Sequence, residues 1–345
     1  MKKYLWVFLI SSMAGTVAYS KDIIEAIKAS LDLCLNTLVP SLFPFLVFSK
    51  MMILSGSAEY MGKIIHPVTG RLFNLSENGS FLFVIGILCG YPIGAKCISD
   101  MLKNKKISYS EAERLILFCN NSGPLFVIGA IGCGMYSDIK TGVIIYLAHI
   151  LSAFVIGLVT RNNQCPQSLI SHHPIKPYFT QSVEDSMIAV INISGYVLFF
   201  SAVCTIINCI MPSGLRILKV AICSLLEITG GIKVISSAYS IPPQLKILIT
   251  AFLVGFGGIC VLFQTKSAIS DSGIKILPYL CSKLCQGALS VFFAYMIISV
   301  YPLRSCAHIS SSNMSVSTYM LIISLVLIII YIFKLQKRSN KTYHY

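Results

Sequence analysis

Charge is what this sequence has least of. Only 12% of its 345 residues are Asp, Glu, Lys or Arg, while 55% are hydrophobic. A soluble domain needs roughly twice that charged share to cover its surface, so a soluble enzyme or regulator is excluded. Acids are the scarcer sign, 13 against 27 basic residues, for a formal net charge of +14. A basic excess invites a nucleic-acid reading, but the basic residues sit at segment ends: Lys2 and Lys3, Lys103 to Lys106, and Lys334 to Lys341. That placement follows the positive-inside rule, so no nucleic-acid partner is expected and both termini are assigned to the cytoplasm.

Several chemistries lack their motifs. There is no G-x-x-x-x-G-K-[ST], since "GSAEYMGKI" at 56–64 has neither the spacing nor the hydroxyl after Lys63; ATP-driven transport within the chain is unsupported. H-E-x-x-H and G-x-S-x-G are absent, and no nucleophile assembles with a base, so no enzyme activity is expected. Thirteen cysteines include no C-x-x-C pair, most lie in apolar runs, and the six histidines show no ligand spacing. The cysteines read as small packing residues, and neither metal nor cofactor is expected. No polar linker isolates a second domain, which makes residues 1–345 one integral membrane unit.

What the chain does have is apolar runs of ~18 residues or more, the length that spans a ~30 Å hydrocarbon core. The class is an all-α polytopic membrane protein, a helical bundle. Residues 1–20 read as an uncleaved first helix, with a cleaved signal peptide as the alternative. Residues 21–36 read as an amphipathic helix. Pro40 and Pro44 predict a break, and residues 55–79, with Gly56, Pro67, Gly70 and Gly79, read as a loop. "ILCGYPIGAKCISD" at 87–100 is an apolar segment broken by Gly90, Pro92 and Gly94 and followed by Lys96. A helix capped by Ser108 or Ser110 runs into Asn120-Asn121-Ser122-Gly123-Pro124 and breaks again. An unbroken crossing follows at 140–160 and a long helix at 183–210; residues 216–238 contain "LLEITGGIKVISS", residues 245–264 contain "VGFGG", residues 276–302 are apolar but carry Lys283, and residues 317–345 form a last helix with a basic tail.

Two stretches share G-x-K-x-I-S: Gly94, Lys96, Ile98, Ser99 and Gly231, Lys233, Ile235, Ser236. Each follows a glycine-bearing break. The order of matches predicts two internal repeats, 26–160 and 182–302, each with interrupted or re-entrant helices. Paired interruptions are the sequence pointer to a transporter site, where half-helix N-termini face anions. The candidate substrate-binding set is therefore Lys96, Lys233, Asn120, Asn121, Ser122, Gly94 and Gly231. Glu227, an acid in apolar sequence, is the candidate coupling group or charge partner. Lysines near helix ends also snorkel to headgroups, and glycines also serve close packing; those alternatives stay open here.

The blocks "VPSLFPFLVFSKMMILSG", "GYPIGAKCISDML" and "ISYSEAERLILFCNNSGPLFVIGAIGCGM" resemble the sporulation integral membrane proteins of the YlbJ/SpoVV type. That family carries the nucleoside-recognition Gate domain, and the likeness runs from about residue 25 to 300. It implies transport of dipicolinic acid, a planar dianion, from mother cell to forespore across the outer forespore membrane. The partners implied are that small anion and the bilayer, with self-association or other sporulation membrane proteins left open. A nucleoside or nucleobase permease is the second reading, and a non-transporting assembly or signalling protein the third.

Overall fold

In a computed structural model the chain is described over residues 2–161 and 178–300. Among these there are fourteen α-helices and no strand. Four helical segments are long and apolar enough to cross a membrane: Ile139–Val159, Tyr178–Ile210, Pro243–Ala268 and Ile276–Val300. A pair bent by 94°, Leu42–Ser55 with Ser57–Phe73, makes a fifth if counted as one span. The crossing and tail expected at 317–345 lie outside the described residues, as does most of the polar loop before Tyr178.

The first part runs α1 (Lys2–Ala18), α2 (Ser20–Leu33), a π-helical turn (Cys34–Leu38) and α3 (Val39–Ser55). Pro40 and Pro44 do not break α3. Pro40 follows directly on the π turn, in which Val39 N donates to Cys34 O, and the wider turn makes room for its ring. The chain bends instead at Gly56, which takes φ +81. The expected loop at 55–79 is mostly a helix, α4 (Ser57–Phe73). Its glycines serve packing: a Cβ on Gly62 would lie 2.1 Å from the Glu77 carbonyl oxygen. Single-sequence reading took as breakers residues that the fold uses for close approach.

Next come two interrupted segments and a clean crossing. α5 (Glu77–Leu88) is capped by Ser76, and α6 (Ile93–Lys103) restarts after a break at Cys89–Pro92, where Gly90 has φ +83 and the Tyr91–Pro92 peptide is cis. α7 (Tyr109–Phe118) is capped by Ser108, whose hydroxyl accepts the Glu111 amide at 3.2 Å. It stops at Cys119, and a π-helical segment (Leu125–Met135) follows. Asp138 accepts the Lys140 and Thr141 amides and starts α8 (Ile139–Val159). The second half runs through a long helix, α9 (Tyr178–Ile210); a pair broken at Glu227, α10 (Arg216–Leu226) and α11 (Ile228–Ser237); a pair broken at Gly257, α12 (Pro243–Phe256) and α13 (Gly258–Ala268); and a long helix, α14 (Ile276–Val300).

α8, α12 and α14 pack on one another through small residues, with Ala148, Ala251 and Ala294 buried together and Gly255 against Gly287. In lipid such close approach supplies the dispersion contacts that hold helices together. Ser152 and Ser290 add a 2.9 Å hydrogen bond across the seam. Phe73, Phe83, Phe118 and Phe154 fill the layer beneath α4, α5 and α7, with ring centroids 4.7 to 6.5 Å apart. α3 and α9 pack together on another side, and the four breaks lie between them and the three-helix stack.

Candidate substrate site: four chain breaks around one cavity

All four interruptions line a single cavity. Gly90 and Tyr91 come from the first break, Ser122 and Gly123 from the second, Glu227 and Thr229 from the third, and Gly257 from the fourth. Its empty space is about 700 Å³, counting the open mouth. α3 contributes Leu42 and Phe45, and α9 contributes Ile193 and Val197. The lining is mostly apolar with a few polar groups, as small-molecule sites are. Tyr91 Oη and Ser122 Oγ are both buried without a hydrogen-bond partner among the described residues. Buried hydroxyls left unpaired by protein point to a ligand or water as the partner.

Each break starts a half-helix at the cavity, and the four N-termini are not equivalent. Glu227 caps α11 itself, accepting Thr229 N at 2.8 Å and Gly230 N at 2.7 Å. Asn120 Oδ1 reaches across to accept Ala95 N, in the first turn of α6, at 3.2 Å. The Leu125–Met135 segment and α13 have no side-chain cap, and α13 opens on Gly257 and Gly258, both at positive φ. An uncapped N-terminus carries about half a positive charge and exposed amides, so those two ends are the anion-favouring ones.

Behind the second break lies a buried polar network. In a membrane, carbonyls freed by a break must be satisfied inside the protein. Leu117 O accepts Ser282 Oγ at 2.7 Å, Phe118 O accepts Asn121 Nδ2 at 2.7 Å, and Asn120 O accepts Lys283 Nζ. Asn120 Nδ2 donates to Tyr279 Oη at 2.8 Å and Thr265 Oγ1 at 3.0 Å. Gln286 accepts Lys283 Nζ at 2.6 Å and donates to Asn121 Oδ1 at 2.8 Å. His149 Nε2 accepts the Ser122 amide at 3.0 Å, as a neutral ring does. All these side chains are buried. One face of α14 thus clamps the 118–122 turn through Tyr279, Ser282, Lys283 and Gln286.

A second cavity of about 650 Å³ adjoins the first, sharing Ile193 and Gln264. It is more polar, with Lys96, Asp185, Asn192 and Ser267 in its lining. An ion cluster at its edge joins three helices. Lys50 of α3 meets Asp100 of α6 at 2.7 Å and Asp185 of α9 at 3.0 Å, while Lys96 lies 3.5 Å from Asp100.

The residues singled out from the sequence fall in different places. Ser122 and Glu227 line the first cavity. Asn120 and Asn121 are fully buried in the turn behind it. Gly94 packs on that turn, where a Cβ would lie 2.2 Å from Cys119 O; Gly231 packs on α10, where a Cβ would lie 2.4 Å from Ser224 Cα. Lys96 is one-third exposed in the second cavity, and Lys233 is exposed and lines neither. Glu227 meets the α11 amides, with no lysine ion pair among the described residues. Sequence reasoning missed Lys283, Gln286 and His149 as one network. A signal existed: Tyr279, Ser282, Lys283, Gln286 and Ser290 form a polar stripe at helical spacing in an apolar crossing.

This placement separates the two lysines of the shared motif. Asp100 keeps its shorter bond to Lys50 when Lys96 is removed, so Lys96→Met should leave membrane abundance unchanged. If the cavities carry an anionic solute, it should lower that transport about tenfold, the effect of ~1.4 kcal/mol in binding. Lys233→Met should change neither. Transport by the two variants, normalised to their abundance, is the measurement; equal losses would return weight to a paired-lysine site.

A curated relative, the sporulation integral membrane protein YlbJ of Bacillus subtilis (strain 168), is 24% identical over 333 aligned residues, covering 84% of this chain and 81% of the relative. No family model matches the chain. No solved structure matches it.

Proposed function

We propose that this chain, assigned by that similarity to the YlbJ-type sporulation integral membrane proteins, carries a small planar anion across a membrane of the sporulating cell. Dipicolinate, moved from mother cell to forespore through the outer forespore membrane, is the solute that fits best. The observation that carries the reading is the convergence of four chain breaks on one cavity, two of them starting uncapped half-helices. Interrupted helices at such a site are the transporter arrangement, and this reading treats the two halves as repeats. Phe45, Tyr91 and Phe126 offer aromatic faces to a flat ring, and Ser122 and Tyr91 offer hydroxyl donors to a carboxylate. Lys96 in the adjoining cavity supplies positive charge on the way in.

A nucleoside permease is the second reading. It draws on the first cavity's lining, which includes no lysine and offers the neutral Ser122, Thr229 and Gln264. One assay separates the two: proteoliposomes holding only this chain, given labelled dipicolinate or labelled nucleosides. Saturable dipicolinate uptake with no nucleoside uptake is expected, and the reverse pattern would overturn the anion reading.

Ser122→Ala refines the test. Its hydroxyl has no protein partner, so stability should stay within ~0.5 kcal/mol of wild type. The dipicolinate KM should rise about tenfold, from loss of one hydrogen bond to a charged group. An unchanged KM would remove Ser122 from the binding surface.

A further inference from the structure

Lys283 is buried at 2% exposure in the middle of α14. Among the described residues one other lysine is buried, Lys106, and it lies 3.6 Å from Glu59. Lys283 has no carboxylate partner among the described residues. Its Nζ has two acceptors, the Asn120 carbonyl and Gln286 Oε1, both neutral. On a third side stands the Tyr279 ring, with its centroid 5.5 Å away. The ionisable groups around it are few. The α7 terminus brings the Cys119 thiol, α8 brings the neutral His149, and α14 itself brings Tyr279. α12 brings none: its one charged residue, Lys246, bonds the Ser236 carbonyl. Two acceptors match the two N–H bonds of a neutral amine, and the third N–H of an ammonium has no acceptor among the described residues.

An isolated ammonium in such a place is costly, and an anion nearby offsets the cost. The position supplies that opportunity. Lys283 holds the carbonyl of Asn120, two residues before Ser122, which lines the first cavity. The amine therefore sits directly behind the wall against which an anion would lie. Whatever lowers the cost of the charged amine when the anion is present also raises anion affinity when the amine is charged, because linkage is reciprocal.

We propose that Lys283 is a proton-binding coupling site that makes this protein an anion–proton symporter. The neutral amine takes one proton from water on the loading side as the anion enters the cavity, and returns it to water on the far side as the anion leaves. The site is built from the Asn120 carbonyl, Gln286 and Tyr279, and the inference rests on the anion-transport reading above.

The full chain in proteoliposomes tests it, with dipicolinate as the probe and a pH dye trapped inside. Adding dipicolinate outside wild-type vesicles should acidify the lumen, beyond the change in protein-free vesicles. A gradient of one pH unit, acid outside, should raise accumulation about tenfold for each proton carried. Lys283→Arg, which keeps a permanent charge, should retain dipicolinate–dipicolinate exchange but lose both proton movement and gradient-driven accumulation. Should that variant fail to fold, Glu227→Gln, which keeps an oxygen to cap α11, decides: proton movement that persists in it supports Lys283, and loss of proton movement with exchange retained assigns the proton to Glu227 and overturns the inference. Wild-type exchange without proton movement would overturn the coupling inference and leave anion transport standing, as would gradient-driven accumulation by a folded Lys283→Arg protein. Absence of any dipicolinate exchange in wild type would overturn the transport reading and this inference with it.

Discussion

Asn120→Ala is expected to cut transport by at least tenfold and to lower thermal stability in detergent more than any other single amide change in the described bundle. The side chain is fully buried and ties three elements to one turn, accepting from Ala95 of α6 and donating to Thr265 of α13 and Tyr279 of α14. Truncation strands the Ala95 amide and removes a donor from two hydroxyls. Each buried group left unpaired costs about 1–3 kcal/mol, so a total of about 3 kcal/mol is expected. Water does not repair this easily, because the turn is packed on both sides. Asn120→Asp separates the roles: with its carboxyl protonated it keeps the acceptor for Ala95 and has one O–H donor where the amide has two N–H donors. It should fall between wild type and Asn120→Ala in stability if its carboxyl is protonated. Melting temperature and dipicolinate uptake, measured on the same preparations, check the expectation. Wild-type stability in Asn120→Ala would mean that the turn is held by other groups.

Gly94→Ala is expected to be the most damaging single methyl addition in the shared G-x-K-x-I-S motif. The carbonyl of Cys119 is approached from two sides, by Gly86 of α5 and Gly94 of α6, where added Cβ atoms would lie 1.9 Å and 2.2 Å from its oxygen. These are backbone clashes, so no side-chain rotation relieves them. α6 would have to move off the turn, stretching the Asn120–Ala95 bond that caps it. Overpacking of this kind costs about 1–3 kcal/mol, and the displaced turn carries Ser122 out of place as well. Membrane abundance should fall and transport per molecule should fall further. Gly195→Ala, at a position with nothing within 4 Å of an added Cβ, is the matched control and should behave as wild type apart from a small gain in helix propensity. Equal behaviour of the two variants would show that α6 and the turn are looser than this geometry requires.

The segments that were legible in the sequence are those where local chemistry and environment agree. α8, α9 and α14 are long apolar runs, and Ser108 caps its helix where an oxygen before a helical run predicts a cap. The breaks at Gly90 and at Asn120–Gly123 were readable because helix breakers and polar groups are expensive in lipid unless the fold uses them, whereas the glycine break expected before Lys233 falls at Glu227, with Gly230 and Gly231 inside α11. The errors have one cause. Pro40, Pro44, Gly62 and Pro67 look like loop formers in isolation, yet lie in or at helices whose neighbours accept them. In the same way, Gly94 and Gly231 look like flexible points and prove to be contact points.

By itself, the sequence determined that this chain is an all-helical membrane protein, where its long crossings run, and that several of its helices are interrupted. Those properties depend on composition and on spacing within about twenty residues, the length over which a helix meets lipid. Only the tertiary structure decided which interruptions meet, which lysine lies behind them and which stays outside. Lys96, Lys233 and Lys283 look alike in the chain, each a cation beside apolar residues. What separates them is contact across 163 residues of sequence, from Lys283 to the Asn120 carbonyl, against an ion cluster for Lys96 and an exposed helix face for Lys233. The cost of a buried charge depends on every group around it in space, and helix periodicity carries no information about partners from distant helices.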